Sequence, residues 1–68
     1  MSLPIWTIYD HPLDFPEFWV ARKFELDKPT GEVILGNTLA AVRDTLPEGL
    51  ICVPRAPADD PVIVECWL

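Results

Sequence analysis

Four side chains that could bind a metal ion or transfer protons lie close together near the start of the chain. Asp10, His11, Asp14 and Glu17 supply three carboxylates and an imidazole within eight residues. This combination can act as acid and base or bind a divalent cation. Zinc sites, however, have recognisable His or Cys spacings, and here a single His is followed directly by a proline. We therefore interpret these residues as turn formers and solvated charges.

The two cysteines do not form a recognisable redox or metal motif. Cys52 and Cys66 lie 14 residues apart, without a CxxC pair or a histidine at ligand spacing. We interpret them as reduced thiols, although the sequence leaves open whether they pair with each other. No sequence pattern joins His11 to either thiol as a nucleophile and its base. The sequence therefore predicts no catalytic residue, no metal and no cofactor.

Composition limits the classes of partner. The 68 residues suffice for one small domain spanning residues 1–68, in which half of the residues are hydrophobic. Eleven acidic against five basic residues give a net charge of −6, which repels nucleic-acid backbones and anionic lipids. No apolar run approaches the roughly 20 residues needed to span a bilayer. We expect a cytoplasmic protein that binds neither nucleic acid nor membranes.

Eight prolines divide the chain into short elements. The apolar and alternating patterns predict four strands and one helix. The strands are residues 5–9, 18–26, 50–53 and 62–68, and the helix is residues 38–45 or 38–46. Asn37 is preferred to Thr38 as the helix cap. Residues 27–32 are predicted to form a turn, and residues 33–35 a short extended apolar segment to which the sequence assigns no role. The predicted fold is α+β, a four-stranded antiparallel sheet in the order β-β-α-β-β with one short helix on one face.

The tryptophans lie in predicted strands, where side chains alternate between the two faces of the sheet. Trp19 shares a face with Lys23 and Glu25, whereas Phe18 and Val20 lie on the other face. If the helix covers the face of Phe18 and Val20, the indole rings remain open to a partner. Alternatively, the indoles complete a small core. On the first arrangement the predicted interface comprises Trp6, Trp19, Ile63 and Trp67 as anchors, with Lys23, Glu25 and Glu65 as a polar rim.

An apolar excess in so short a chain favours association with another molecule. The function predicted from the sequence is therefore a small non-enzymatic interaction protein, with a second copy of itself (a homodimer) or another protein as its partner. A small metal- or ligand-binding protein or enzyme that uses residues 10–17, with His11 as ligand or base, is the alternative. The second function requires the side chains of residues 10–17 to form a metal-binding or acid–base site, and the first does not.

Overall fold

The computed structural model describes residues 3–68, which form a five-stranded antiparallel sheet with one helix packed on it. In chain order the elements are β1 Pro4–Asp10, β2 Trp19–Glu25, β3 Lys28–Gly36, α1 Leu39–Thr45, β4 Cys52–Pro54 and β5 Ile63–Trp67. The strand order is β3-β2-β1-β5-β4, so β1 lies in the middle and β3 and β4 are the edges. The α+β class and the antiparallel sheet are confirmed, but the predicted number of strands is wrong.

The additional strand is β3, which includes the segment predicted to be a turn. The chain reverses at Leu26 and Asp27, where Leu26 has a φ of 59°. The return strand then begins at once, with Lys28 opposite Glu25 and Pro29 opposite Phe24. An edge strand tolerates proline because a missing N–H on its outer side breaks no ladder bond. A register shift between Arg22 and Phe24 accommodates this irregular first half.

The helix packs on the sheet face that carries the tryptophans. The buried core comprises Trp6, Ile8, Ala21, Val42 and Leu46. Trp19 and Trp67 are half-buried and pack against this core. The structure therefore has the arrangement in which the indoles contribute to a small core. The interface was predicted on this face on the condition that the helix covers the other one. The helix covers this face instead, so that condition is not met.

Small residues explain why the helix lies on this face. A Cβ placed on Gly36 would lie 2.7 Å from Cγ2 of Val42, so only glycine lets β3 and α1 approach this closely. Ala21 lies opposite Ile34 in the β2–β3 ladder and is completely buried. The helix begins after Thr38, whose hydroxyl accepts from the Ala41 N–H at 3.0 Å. The choice of Asn37 as the cap is therefore wrong, although the helix itself is confirmed.

A polar network ties the helix to β5 within this core. The Arg43 guanidinium donates from Nε and Nη2 to the two carboxylate oxygens of Glu65, at 2.9 and 2.6 Å. Trp67 Nε1 donates to the same carboxylate at 2.6 Å. Only 8% of the Glu65 side chain is exposed. The Arg43 hydrogen bonds lower the pKa of Glu65, so the carboxylate stays ionised although it is buried.

The two thiols are free, and the ladder explains why they do not pair. Cys52 lies opposite Trp67 and Cys66 opposite Val53, so the two side chains point to different faces of the sheet.

The described helix has seven residues, too few to cross a bilayer.

Candidate functional site

The loop between β1 and β2 carries the four polar residues singled out in the sequence, and the structure does not bring them together. The Asp10 carboxylate contacts His11 Nδ1, whereas Asp14 pairs with Arg22 and Glu17 is exposed. Within residues 3–68, no three His, Cys, Asp or Glu side chains are grouped so that they could hold a metal ion. The loop therefore positions charges separately.

This loop folds back over the sheet face opposite the helix, which we call the open face. The Arg22 guanidinium carbon lies 5.5 Å from the centroid of the Tyr9 ring and 6.0 Å from that of Phe15. Its Nη2 donates to the Asp14 carboxylate. Tyr9 and Arg22 belong to the strands, and Phe15 and Asp14 to the loop, so Arg22 fastens the loop to the sheet. This arrangement accounts for a charged residue among apolar neighbours in β2.

The loop also has its own internal hydrogen bonds. The Phe15 N–H donates to Pro12 O at 2.9 Å, and the Phe18 N–H donates to Phe15 O at 3.2 Å. The His11 N–H donates to Phe18 O at 3.1 Å, extending the β1–β2 ladder by one pair. These bonds and two prolines restrict the backbone, so the loop forms a defined wall.

An open cavity of about 650 Å³ lies on the open face, beside this loop. Its lining is mainly apolar and aromatic, with three polar or charged side chains in addition to the Tyr9 phenol. The lining residues are Tyr9, His11, Pro12, Leu13, Arg22, Phe24, Pro29, Asp60 and Val62. This volume and this composition are typical of small-molecule sites. Of the four predicted loop residues, only His11 reaches the cavity.

Protonation of the cavity's phenol follows from its position. Burial raises the pKa of Tyr9 more than the nearby Arg22 guanidinium lowers it. Tyr9 is therefore neutral at physiological pH and can donate its O–H. Asp60 faces the same space, and its Oδ1 accepts from the Val62 N–H at 3.0 Å. The cavity thus combines a neutral phenol, a guanidinium already matched by Asp14, the His11 imidazole, whose Nδ1 contacts Asp10, and the Asp60 carboxylate.

On the helix-covered face, the residues predicted as an interface have internal partners. Trp6 and Glu65 are buried, and Trp67 donates to Glu65. Lys23 Nζ lies 3.0 Å from the Glu32 carboxylate and 3.9 Å from that of Glu25. On the other side of the sheet Ile63, which lies opposite Tyr9, is half-buried. The predicted set therefore divides between the two faces.

A second candidate site is the outer edge of β3. Ladder bonds from Leu26 N–H to Leu3 O and from His11 N–H to Phe18 O show that even-numbered β2 residues bond to β1. Odd-numbered β2 residues therefore bond to β3, where Trp19 lies opposite Gly36 and Ala21 opposite Ile34. It follows that the backbone groups of Val33 and Leu35 point away from the sheet. Their side chains lie on the open face, 42% and 44% exposed.

The opposite edge of the sheet, formed by β4, is less able to pair with a further strand. Strand β4 has three residues, and the bonds between Ile51 and Leu68 direct the backbone of Val53 inwards, towards β5. The outward residues are Cys52 and Pro54, and Pro54 has no N–H to donate. Such short, proline-bearing edges do not template another strand. Residues 33–36 of β3, by contrast, are uncharged and contain no proline.

Comparison with known proteins found no family model, no curated protein and no solved structure that matches this chain. Function must therefore be argued from the chain's own geometry. Sequence reasoning missed both the cavity and the β3 edge. The signal for the cavity was present in the alternation of β2, which places Arg22 and Phe24 on the face away from Trp19. The signal for the edge was the apolar segment 33–35, left without a role because Pro29 and Gly31 suggested a turn.

Proposed function

We propose that this chain is a non-enzymatic interaction protein that associates with a second copy of itself through the outer edge of β3. The observation that carries the proposal is the uncharged edge at Val33 and Leu35, whose backbone N–H and C=O groups point outwards. Exposed edges of this kind pair with further strands unless a charge, a proline or a bulge blocks them. In β3, the blocking features are confined to the first half of the strand.

A twofold axis through Ile34 gives a self-complementary pairing. Antiparallel addition of a second β3 places Val33 of each copy opposite Leu35 of the other. Because both residues direct their backbone groups outwards, each such pair exchanges both of its N–H···O bonds. The side chains of Val33 and Leu35 then meet on the open face, where cross-strand contact between branched apolar residues stabilises a sheet. The two five-stranded sheets become one continuous sheet.

Charge supports this edge as the point of contact. Each copy carries a net charge of −6, so two copies repel one another over most of their surfaces. The nearest acidic side chain on the strand, Glu32, lies 3.0 Å from Lys23 within its own chain. Contact along residues 33–36 therefore adds no unpaired charge. Since the remaining repulsion is between exposed groups, salt should strengthen the association.

The test is the mass of the protein in solution, measured by sedimentation equilibrium across the micromolar range. The wild type is expected to be a dimer, and its dissociation constant should fall when salt rises from about 0.01 to 0.15 M. Val33→Lys places like charges across the proposed axis and should give a monomer. Val53→Lys is a matched control, because Val53 is 43% exposed at the other edge and should leave the dimer intact.

Two results would contradict the proposal. A wild type that remains monomeric at high micromolar concentration removes self-association altogether. A dimer that survives Val33→Lys, or one that Val53→Lys dissociates equally well, places the contact elsewhere. Circular dichroism of both variants shows whether the fold is retained, so that a monomer caused by unfolding is recognised.

A further inference from the structure

The cavity on the open face is a site that self-association does not require, because Val33 and Leu35 do not line it. We propose that it binds a small uncharged molecule that combines a planar aromatic ring with a carbonyl group. Such a ligand is identified by the shape of the lining, by the charge balance of its polar groups and by one apolar side chain left in solvent.

The apolar part of the lining suits a flat ring. Phe24 and Pro29 lie opposite one another in the β2–β3 ladder, at one end of the cavity. Pro12 and the Tyr9 ring form walls further along. Aromatic rings and prolines present flat surfaces, against which a planar ring gains more contact than a branched chain does. The lining therefore selects for shape as well as for apolarity.

The charge balance disfavours ionised ligands. Arg22 is the cation of the cavity, and it is already paired with Asp14 and stacked on Tyr9 and Phe15. A ligand carboxylate would compete with Asp14 and would also meet the carboxylate of Asp60. A ligand ammonium would be attracted by Asp60 but repelled by Arg22, so the attraction would not offset the cost of removing its charge from water. An uncharged carbonyl avoids both penalties, and the Tyr9 hydroxyl can donate a hydrogen bond to it.

Leu13 is an independent sign of an occupant. Its side chain lines the cavity and is 100% exposed, so it packs against none of the other residues between 3 and 68 in the free chain. The loop that carries it is held by Arg22 and by internal hydrogen bonds, so Leu13 is presented at the rim on a defined backbone. A bound ring would bury part of this side chain, and that burial favours binding.

The experiment uses three probes that share an indole ring and differ in charge: indole-3-acetamide, indole-3-acetate and tryptamine. Each is titrated into uniformly ¹⁵N-labelled protein and followed by amide chemical shifts. The uncharged amide is expected to give saturable shifts at Tyr9, Arg22, Phe24 and Val62. The two charged probes are expected to bind about tenfold more weakly, because each meets a like charge as well as an opposite one and the attraction does not offset its loss of hydration.

Two serine variants locate the site. Leu13→Ser should weaken indole-3-acetamide binding by about tenfold, because the ring loses an apolar contact. Ile51→Ser, at an exposed apolar position beside β4, should leave binding unchanged. Both side chains are exposed, so neither substitution removes core packing.

Three results would overturn the proposal. The first is the absence of saturable shifts at the cavity residues. The second is equal binding of indole-3-acetate or tryptamine, which refutes an uncharged ligand. The third is an equal effect of Leu13→Ser and Ile51→Ser, which places the ring elsewhere. Leu35→Lys also places like charges across the proposed axis, and it lies opposite Val20, which does not line the cavity. It should bind the amide probe as the wild type does, so failure of self-association and failure of this site are distinguishable.

Discussion

Replacing Arg43 by alanine should destabilise the protein by about 2 kcal/mol, because it leaves a buried carboxylate without its cation. Arg43 makes two charge-assisted hydrogen bonds to Glu65, and hydrogen bonds to charged groups contribute roughly 1.5–3 kcal/mol. Breaking a fully buried pair costs about 3–5 kcal/mol. The smaller value of about 2 kcal/mol applies here. Because 42% of the Arg43 side chain is exposed, water can replace part of the lost hydrogen bonding.

A loss of this size is large for a chain of 68 residues. Stability of about 0.05–0.15 kcal/mol per residue gives a total of roughly 3–10 kcal/mol. A change of 2 kcal/mol corresponds to a fall in Tm of about 8–16 °C for a domain of this size. Urea denaturation followed by tryptophan fluorescence measures the free energy of unfolding, and an unchanged m-value shows that the transition itself is preserved.

Two further variants isolate the charge pair. Arg55→Ala removes a guanidinium whose hydrogen bond is to the carbonyl of the adjacent Ala56, and should change stability by less than about 0.5 kcal/mol. Arg43→Ala combined with Glu65→Gln should be more stable than Arg43→Ala alone, because glutamine leaves no buried charge. If Arg43→Ala unfolds at the same urea concentration as Arg55→Ala, the network does not contribute as argued.

The same pair predicts a pH dependence with a definite sign. The pKa of Glu65 in the folded protein lies below its ordinary value of 4.5, chiefly because of the Arg43 hydrogen bonds. Its contribution to stability is therefore complete above pH 4.5 and is lost as the pH falls through the folded-state pKa. The difference in unfolding free energy between wild type and Arg43→Ala should shrink over that range. A difference that stays constant with pH would contradict the role of the charge.

Two further outcomes follow from the packing. Gly36→Ala should cost about 1–3 kcal/mol in urea denaturation, since its methyl group would lie 2.7 Å from Val42; stability equal to the wild type would show that α1 can move away without penalty. The phenol of Tyr9 should titrate above pH 10 in an ultraviolet absorbance titration, because burial raises its pKa. Tyr9 is the chain's single tyrosine, so the signal needs no assignment, and a midpoint at or below 10 would contradict its burial.

The sequence was sufficient for the regular parts of the fold. Alternation of apolar and polar residues identified β2, and short apolar runs rich in β-branched residues identified β1 and β5. Polar N-cap candidates followed by apolar residues at helical spacing identified α1. Strand β3 was missed because Pro29 and Gly31 are turn residues in most contexts. At a sheet edge the missing N–H of Pro29 and the positive φ of Gly31 break no ladder, so tertiary position overrides local preference.

Alternation assigns residues to faces but does not reveal which face a helix covers. Both faces of β2 have apolar members, so hydrophobicity alone does not decide between them. Two signals in the sequence do decide, once they are considered together. Gly36 and Ala21 are small enough to let a helix approach, and Arg43 needs a buried acid, which Glu65 supplies on the same face. Shape and charge pairing, which require knowledge of the strand register, therefore fixed the arrangement.

The covered face in turn determines where this chain can bind other molecules. With α1 against the tryptophans, the exposed apolar surface of the sheet is the open face and the β3 edge, where Val33 and Leu35 are partly exposed. The loop between β1 and β2 occupies one end of that face and borders the cavity, while residues 33–36 remain at the edge. A second copy paired along β3 would extend the sheet sideways and leave the cavity open. Ligand binding and self-association are thus separable, and Leu35→Lys, opposite Val20 rather than a cavity residue, should abolish the second without changing the first.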